Sequence, residues 1–385
     1  MAGAGVRGVR RTRAAAALVG VVALTGCTND PAGTAAPSRP TTSSTPAPPP
    51  TRSPTPTNDA PDPPIRIALA GDIHFEGPLA ARLRDPATAL APVSDALSTA
   101  DLTIVNLETS VGTGGRPEPG KRFTFSAAPE AFDALAAAGV DVATMANNHA
   151  LDYGRARLPS TFAAIRSAAR ADSPLAVIGI GRDADEAFAP ARSDVRGTTV
   201  ATLAASVADQ DPTADPTGDW AATSDRSGIA DALDPGRLLE AVGRARRSAD
   251  VVVVYLHWGV QGQRCPSRDQ RSLAAHLVDA GADIVVGSHA HQLQGDGRLG
   301  DAYVAYGLGN YAWYSPGDAD TSRTGVLYLT VRPRTHGSRP PYVVRAAWAP
   351  QRIGADGLPA TTTPEDAADF RASRESLRAC SGLAP

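Results

Sequence analysis

The sequence predicts an α/β domain that starts near Ile65 and runs to the end of the 385-residue chain. Short apolar runs alternate there with longer stretches of helical spacing, the pattern of helices packed on a mostly buried sheet. One run, Val251-Val252-Val253-Val254, is apolar without alternation, as a strand buried on both faces requires. Polar residues cluster directly after the runs, where open α/β sheets build their sites.

Strands are expected at Ile65–Ala70, Leu102–Leu107, Val140–Met145, Leu175–Ile180, Thr199–Ala204, Val251–Leu256, Asp283–Val286, Tyr303–Leu308, Val326–Val331 and Tyr342–Ala347. They are short runs, mostly β-branched or apolar. Helices are expected at Pro86–Thr99, Pro129–Ala138, Leu158–Ala169, Pro235–Ser248, Ser267–Ala280 and Pro364–Arg378. Several open on Pro, Ser or Asp, the residues that helix starts prefer. The last strands lie close together and suit antiparallel pairing. No repeat and no second linker interrupts the domain.

Hydrophobic residues make up 42% of the chain and charged residues 20%, which excludes general disorder. Net charge is −3, and no polybasic tract exists beyond the first residues, so nucleic acid loses its usual electrostatic basis as a partner. The one lysine, Lys121, stands against 36 Arg and reads as codon bias in a GC-rich genome.

The first 64 residues read as addressing and tethering segments. Arg7, Arg10, Arg11 and Arg13 precede the apolar stretch Ala14–Thr25, which is too short to span a bilayer and has the form of an export signal. Leu24-Thr25-Gly26-Cys27 follows and resembles a lipobox, which makes residues 1–26 a cleaved signal and Cys27 the lipidated mature N-terminus. An ordinary cleaved signal is the alternative, and Arg10-Arg11 leaves the twin-arginine route open. Residues 27–64 form the tether: Pro31–Pro64 holds 12 of the 33 prolines, mixed with Ser, Thr and Ala, and cannot bury a core. The expected location is extracytoplasmic, lipid-anchored to the cell membrane. In that setting Cys265 and Cys380 point to a disulfide tying the C-terminal helix to the loop after His257, with free thiols as the alternative.

The strand ends carry the chemistry. Gly71-Asp72-Ile73-His74 follows the first strand, and Glu108 follows the second, with Asn106 just before it. Asn147-Asn148-His149 and Asp152 follow the third, His257-Trp258-Gly259 a later one, and Gly287-Ser288-His289-Ala290-His291 the next. Five of the seven histidines fall at these ends. Imidazole with carboxylate suits Zn, Mn and Fe, and such a set can hold a pair of ions about 3.5–4 Å apart that activates a shared water. Gly-x-Ser-x-Gly is absent, as are a Walker loop and a Gly-x-Gly-x-x-Gly opening a helix after a strand, so serine-hydrolase and nucleotide-fold readings lose support.

In order and type these motifs resemble the calcineurin-like metallophosphoesterase superfamily. More specifically, Val105-Asn106-Leu107-Glu108, Asn147-Asn148-His149 with Asp152-Tyr153-Gly154, His257-Trp258-Gly259, Gly287-Ser288-His289-Ala290-His291 and Tyr306-Gly307-Leu308-Gly309-Asn310 resemble the CapA family of bacterial poly-γ-glutamate capsule synthesis proteins. The resemblance implies a four-layer α/β/β/α metallophosphoesterase-like sandwich. It also implies two divalent metal ions, one on Asp72, His74 and His291 and the other on Asn148, His257 and His289, bridged by Glu108. His149 would be the general acid or would stabilise charge on the substrate, with Asp152 orienting it. Phosphoesterases carry Gly-Asp where this chain has Leu107-Glu108. The longer Glu108 can bridge both ions, bind one or leave the bridge to water, and Asn106 competes for the place. The implied partners are a cell-envelope or capsule polymer, the membrane through the N-terminal lipid, and capsule synthesis membrane proteins. The implied function is hydrolysis of a phosphoester or amide in that polymer. The alternative is a non-catalytic, metal-dependent polymer-binding or assembly module.

Overall fold

A computed structural model describes residues 63–207, 215, 217–314, 317–333 and 343–385. The chain divides into two compact units, Met1–Asn58 and Asp59–Pro385, and every described residue belongs to the second. The expected signal over residues 1–26, the lipidated Cys27 and all of the tether but its last two residues lie outside the described residues. Among the described residues no helix is long and apolar enough to cross a membrane.

Among the described residues, fourteen strands form the two main sheets. In chain order they are β1 (Ile65–Ile73), β2 (Leu102–Leu107), β3 (Val142–Thr144), β4 (Ala176–Ile178), β5 (Ala191–Val195), β6 (Thr198–Val207) and β7 (Val251–Trp258). Next come β8 (Ile284–Ser288), β9 (Asp296–Leu299), β10 (Ala302–Ala305), β11 (Asn310–Ala312), β12 (Arg323–Val331), β13 (Val343–Ile353) and β14 (Pro359–Thr361). The principal helices are α1 (Ala91–Ser98), α2 (Glu130–Ala137), α3 (Leu158–Ala168), α4 (Gly236–Arg246), α5 (Arg268–Ala280) and α6 (Pro364–Ser381).

The first sheet has the order β14-β13-β12-β1-β2-β3-β4, with β11 added at the end of β1. The second has the order β9-β10-β8-β7-β6-β5. In the first, β1 to β4 run parallel; in the second, β6, β7, β8 and β10 do. The later strands β12 to β14 are antiparallel, as expected.

Strand alternation divides the core. Ile65, Ile67 and Leu69 of β1 point towards the second sheet and pack in one cluster with Val200, Val253 and Val285. Ala68, Ala70 and Ile73 point the other way and pack with Val93, Leu135 and Leu158 of α1, α2 and α3. The second sheet carries α4 and α5 on its far face through Leu238, Val242, Leu273 and Leu277. The result is the four-layer α/β/β/α sandwich, and β7 is buried along its whole length. Helix α5 starts on a reciprocal cap between Ser267 and Gln270 and stops at Gly281, whose φ is 110°.

Some boundaries differ from expectation. The helix expected from Pro86 begins only at Ala91, because residues 86–90 turn first and Pro92 takes the initiating position. The strand expected over Tyr303–Leu308 ends at Ala305. Beyond it Gly309 runs against β1, where its carbonyl accepts from Asp72 N at 3.0 Å. That approach requires Gly71: a Cβ there would stand 1.8 Å from Gly309 O. Cys265 and Cys380 are joined by a disulfide with Cα atoms 5.7 Å apart, which ties α6 to the loop after β7.

Candidate metal centre

The parallel strands of both sheets aim their carboxyl ends at one place. β1 delivers Asp72, β2 delivers Glu108, and the turn after β3 delivers Asn147, Asn148 and His149. From the second sheet, β7 delivers His257 and the turn after β8 delivers His289 and His291. All are buried except His291, which is partly exposed. His289 and His291 have φ of 89° and 55°, a region that non-glycine residues enter at a cost and mainly at functional sites.

Two groups of ligand atoms result, each within 4.8 Å: Asp72 with Glu108 and His291, and Glu108 with His257 and His289. Glu108 belongs to both. Its Oε1 lies 3.4 Å from His257 Nε2, 3.7 Å from His149 Nε2 and 4.0 Å from His291 Nε2. Neither Glu108 oxygen has a hydrogen-bond partner, and His289 Nε2 has none either, although all three atoms are buried. Buried polar atoms are normally satisfied, and a divalent cation satisfies carboxylate oxygens and imidazole nitrogens together. The residues present therefore fit a metal.

The surrounding hydrogen bonds orient the ligands. Asn106 Nδ2 donates to Asp72 Oδ1 (2.7 Å), and His289 N donates to Asp72 Oδ2 (3.2 Å). Asn106 thus meets Asp72 with N–H groups, while its own oxygen accepts from Asn147 (3.1 Å), so it positions ligands and does not compete to bridge. With its proton on Nε2, His257 donates to Asn148 Oδ1 (2.7 Å) and accepts at Nδ1 from Asn106 and Ser288 (3.2 Å each). His291 Nδ1 lies 2.8 Å from Asn310 Oδ1.

The electrostatics are divided. Burial works against the Asp72 charge, but hydrogen bonding with His291 and the nearby His257 and His291 outweigh it and hold the carboxyl well below its ordinary range. Burial and then the Asp72 charge push Glu108 well up. Burial lowers His257 to about 4 and holds His289 and His149 well below the ordinary imidazole range. Burial also opposes protonation of His291, yet the charges of Glu108 and Asp72 prevail and raise it. Neutral imidazole is the form that binds metal, and a cation beside Glu108 supplies the positive charge its carboxylate lacks.

His149 and Asp152 stand beside the two groups. His149 Nδ1 lies 2.6 Å from Asp152 Oδ2, which also accepts from Phe125 N (2.5 Å). Burial pushes Asp152 up to about 7, against the pull of Lys121. The Lys121 side chain is buried, and its Nζ donates to Asp152 Oδ1 and to the carbonyl of Asn148. It also sits 4.5 Å from the centre of the Trp220 ring. Composition assigned Lys121 to codon bias; the fold makes it a clamp on two site residues. Trp313 was equally hidden in the sequence.

His74 is not brought into either group. Its Nδ1 accepts from Glu76 N and its Nε2 faces Tyr314 N, both at 3.1 Å. Its ring stacks on Phe125 at 4.8 Å, and Phe125 stacks on His149 at 4.0 Å. The Asp72-x-His74 spacing fixes position along the chain, whereas the bulge between Asp72 and Ile73 turns the second side chain into this aromatic stack.

A four-layer sandwich whose two mixed sheets aim their parallel strands at a buried carboxylate–imidazole–amide cluster has a metallophosphoesterase-like fold. Residues 66–314 match the family described as bacterial capsule synthesis protein PGA_cap. The chain belongs to that family.

The chain is 33% identical over 197 residues to the "Capsule biosynthesis protein CapA" of Bacillus anthracis, a match covering 50% of this chain and 45% of that one. It is 33% identical over 174 residues to the "PGA biosynthesis protein CapA" of Bacillus subtilis (strain 168), covering 45% and 42%. The chain therefore spans less than half the length of these two relatives. A "Probable polyglutamine synthesis accessory protein" of Mycobacterium tuberculosis is 28% identical over 286 residues, covering 71% and 72%. Among solved structures, a "novel phosphatase" of Mycoplasma pneumoniae aligns with TM-score 0.43 and 14% identity, over 74% of this chain and 93% of that one. A 5′-nucleotidase of Candida albicans SC5314 aligns with TM-score 0.39 and 11% identity, over 82% and 58%.

Proposed function

We propose that this chain is a membrane-anchored, extracytoplasmic, metal-dependent hydrolase acting on a phosphoester or amide of a capsule or cell-envelope polymer of the poly-γ-glutamate kind. The observation that carries the reading is Glu108, shared by two ligand groups with both oxygens buried and unpartnered. Asp72, Glu108 and His291 would hold one divalent ion, and Glu108, His257 and His289, with Asn148 beside them, a second; Mn, Fe and Zn suit these donors. Such ions, when bound, supply Lewis acidity and water activated at neutral pH. His149, held by Asp152, would stabilise charge on the substrate or give a proton to its leaving group on the Glu108 side. The names of the relatives support a capsule or polyglutamate polymer as the substrate, and capsule synthesis membrane proteins as partners. Lipidation at Cys27 would supply the anchor.

The test is turnover of bis-p-nitrophenyl phosphate and of a γ-linked glutamate polymer by the metal-loaded protein. Asp72→Ala and His289→Ala should each abolish it with the domain still folded. Retained turnover in both variants would sink the reading. A second reading, a metal-dependent polymer-binding module without turnover, draws on Glu108 standing where phosphoesterases carry Asp and on the word "accessory" in the mycobacterial relative's name. Polymer binding that disappears on chelation, with no turnover, would favour it.

A further inference from the structure

The opposite end of the sandwich carries a second concentration of chemistry. A cavity of about 340 Å³ opens between β9, β10, the start of β13 and α6. Val343 pairs with Val331, which pairs with Ile65, so this part of the wall lies beside the amino end of β1. Tyr303 pairs with Ile284, at the amino end of β8. The metal centre lies beyond the carboxyl ends of those same strands.

Four arginines line the cavity: Arg298, Arg345, Arg374 and Arg378. The nearby carboxylate, Asp296, is 1% exposed and already matched. Arg374 engages both of its oxygens, with Nε to Oδ1 at 3.0 Å, and the Tyr303 hydroxyl and Trp348 Nε1 donate to it as well. The other three guanidinium groups have neutral partners or none. Arg378 Nε donates to the Asp296 carbonyl (2.7 Å), and Arg298 donates to the Val343 carbonyl. Arg345 is exposed and has no hydrogen bond or ion pair among the described residues. A carbonyl fixes the direction of a guanidinium without cancelling its charge. Positive charge is in excess here, in a chain whose net charge is −3.

We propose that this cavity is a second binding site, for the free α-carboxylates along a γ-linked polyglutamate chain. The guanidinium fork matches the carboxylate plane, and pre-oriented forks lose less freedom on binding. The choice of carboxylate over phosphate rests on the polymer reading above. A polymer gripped at the amino ends presents further residues to the carboxyl ends at raised effective concentration, so the two sites cooperate on one long ligand.

The experiment is calorimetric titration of the full chain with a γ-linked glutamate decamer at low ionic strength. Arg345→Gln combined with Arg378→Gln should weaken binding about tenfold, equivalent to about 1.4 kcal/mol. Retained metal content and an unchanged thermal midpoint would show that the double variant is folded. Binding to the wild type should survive chelation of divalent metal. Equal affinity in the double variant and the wild type overturns the site, as does binding lost entirely on chelation. Displacement of the decamer by inorganic phosphate at equal concentration overturns the carboxylate assignment. Metal-dependent turnover alongside an unaffected double variant would sink this inference alone; loss of turnover in no metal-ligand variant would sink the hydrolase reading alone.

Discussion

The two sheets bring different donors to the same centre. The first ends in oxygen: Asp72, Glu108 and the amide of Asn148. The second ends in nitrogen: His257, His289 and His291. The division has an energetic sense, because an imidazole can be buried neutral at modest cost whereas a buried carboxylate needs a counter-charge or hydrogen bonds. Asp72 has them, from Asn106, the His289 amide and His291. Glu108 has none. Neither sheet holds a complete site, so metal binding reports on how the two sheets pack.

The sharpest test of that division is Glu108→Gln. It removes the one residue common to both ligand groups, so elemental analysis should find both ions lost. It also removes a buried carboxyl that has no hydrogen bond and that burial pushes well above its ordinary range. The metal-free variant should therefore unfold at higher denaturant than metal-free wild type, by about 1–3 kcal/mol. Retention of both ions would mean that each sheet holds metal without the shared carboxylate.

Asp72→Ala and His289→Ala should each have about half that effect on metal content, since each strikes a single group. Asp72→Ala should spare the group of Glu108, His257 and His289, and His289→Ala the group of Asp72, Glu108 and His291. Loss of both ions in either variant would show that the groups fill only together.

Much of this centre was legible in the sequence, for a local reason. A candidate ligand at the carboxyl end of a parallel strand is announced by the apolar run before it; Asp72, Glu108 and His257 sit at such ends, and Asn148 and His289 in the turns beyond them. What was hidden depends on distant partners. Lys121 reaches Asn148 and Asp152 from a loop with no strand to mark it, and an arginine-rich composition disguised it further. Trp313 meets His74 only because two segments far apart in the chain converge there. The same applies to the fold: β5 and β9 lie at sheet edges, and their sequences, Ala-Arg-Ser-Asp-Val and Asp-Gly-Arg-Leu, contain no apolar run to betray a strand.

The disulfide allows the second sheet to be perturbed away from its ligands. Replacing Cys265 and Cys380 by Ser opens a link between residues 115 apart. Chemical denaturation should then show a loss of about 2–5 kcal/mol, with metal content unchanged. A fall in metal content would show that the loop after His257 owes its ligand geometry to the tie.

The smallest effect is expected at His74, and there it is the most informative. The resemblance to phosphoesterases makes His74 a ligand of the first ion; the geometry puts its ring between Phe125 and the Tyr314 amide. A neutral imidazole has one acceptor nitrogen, yet both of its nitrogens face backbone N–H groups, so one of the two contacts is weak even in the intact protein. His74→Phe keeps the aromatic stack and removes an acceptor, which should cost about 1–3 kcal/mol of stability. Metal content should not change. If instead the variant loses an ion, His74 must leave its amide partners to bind metal, and the oxygen–nitrogen division between the sheets would fail at β1.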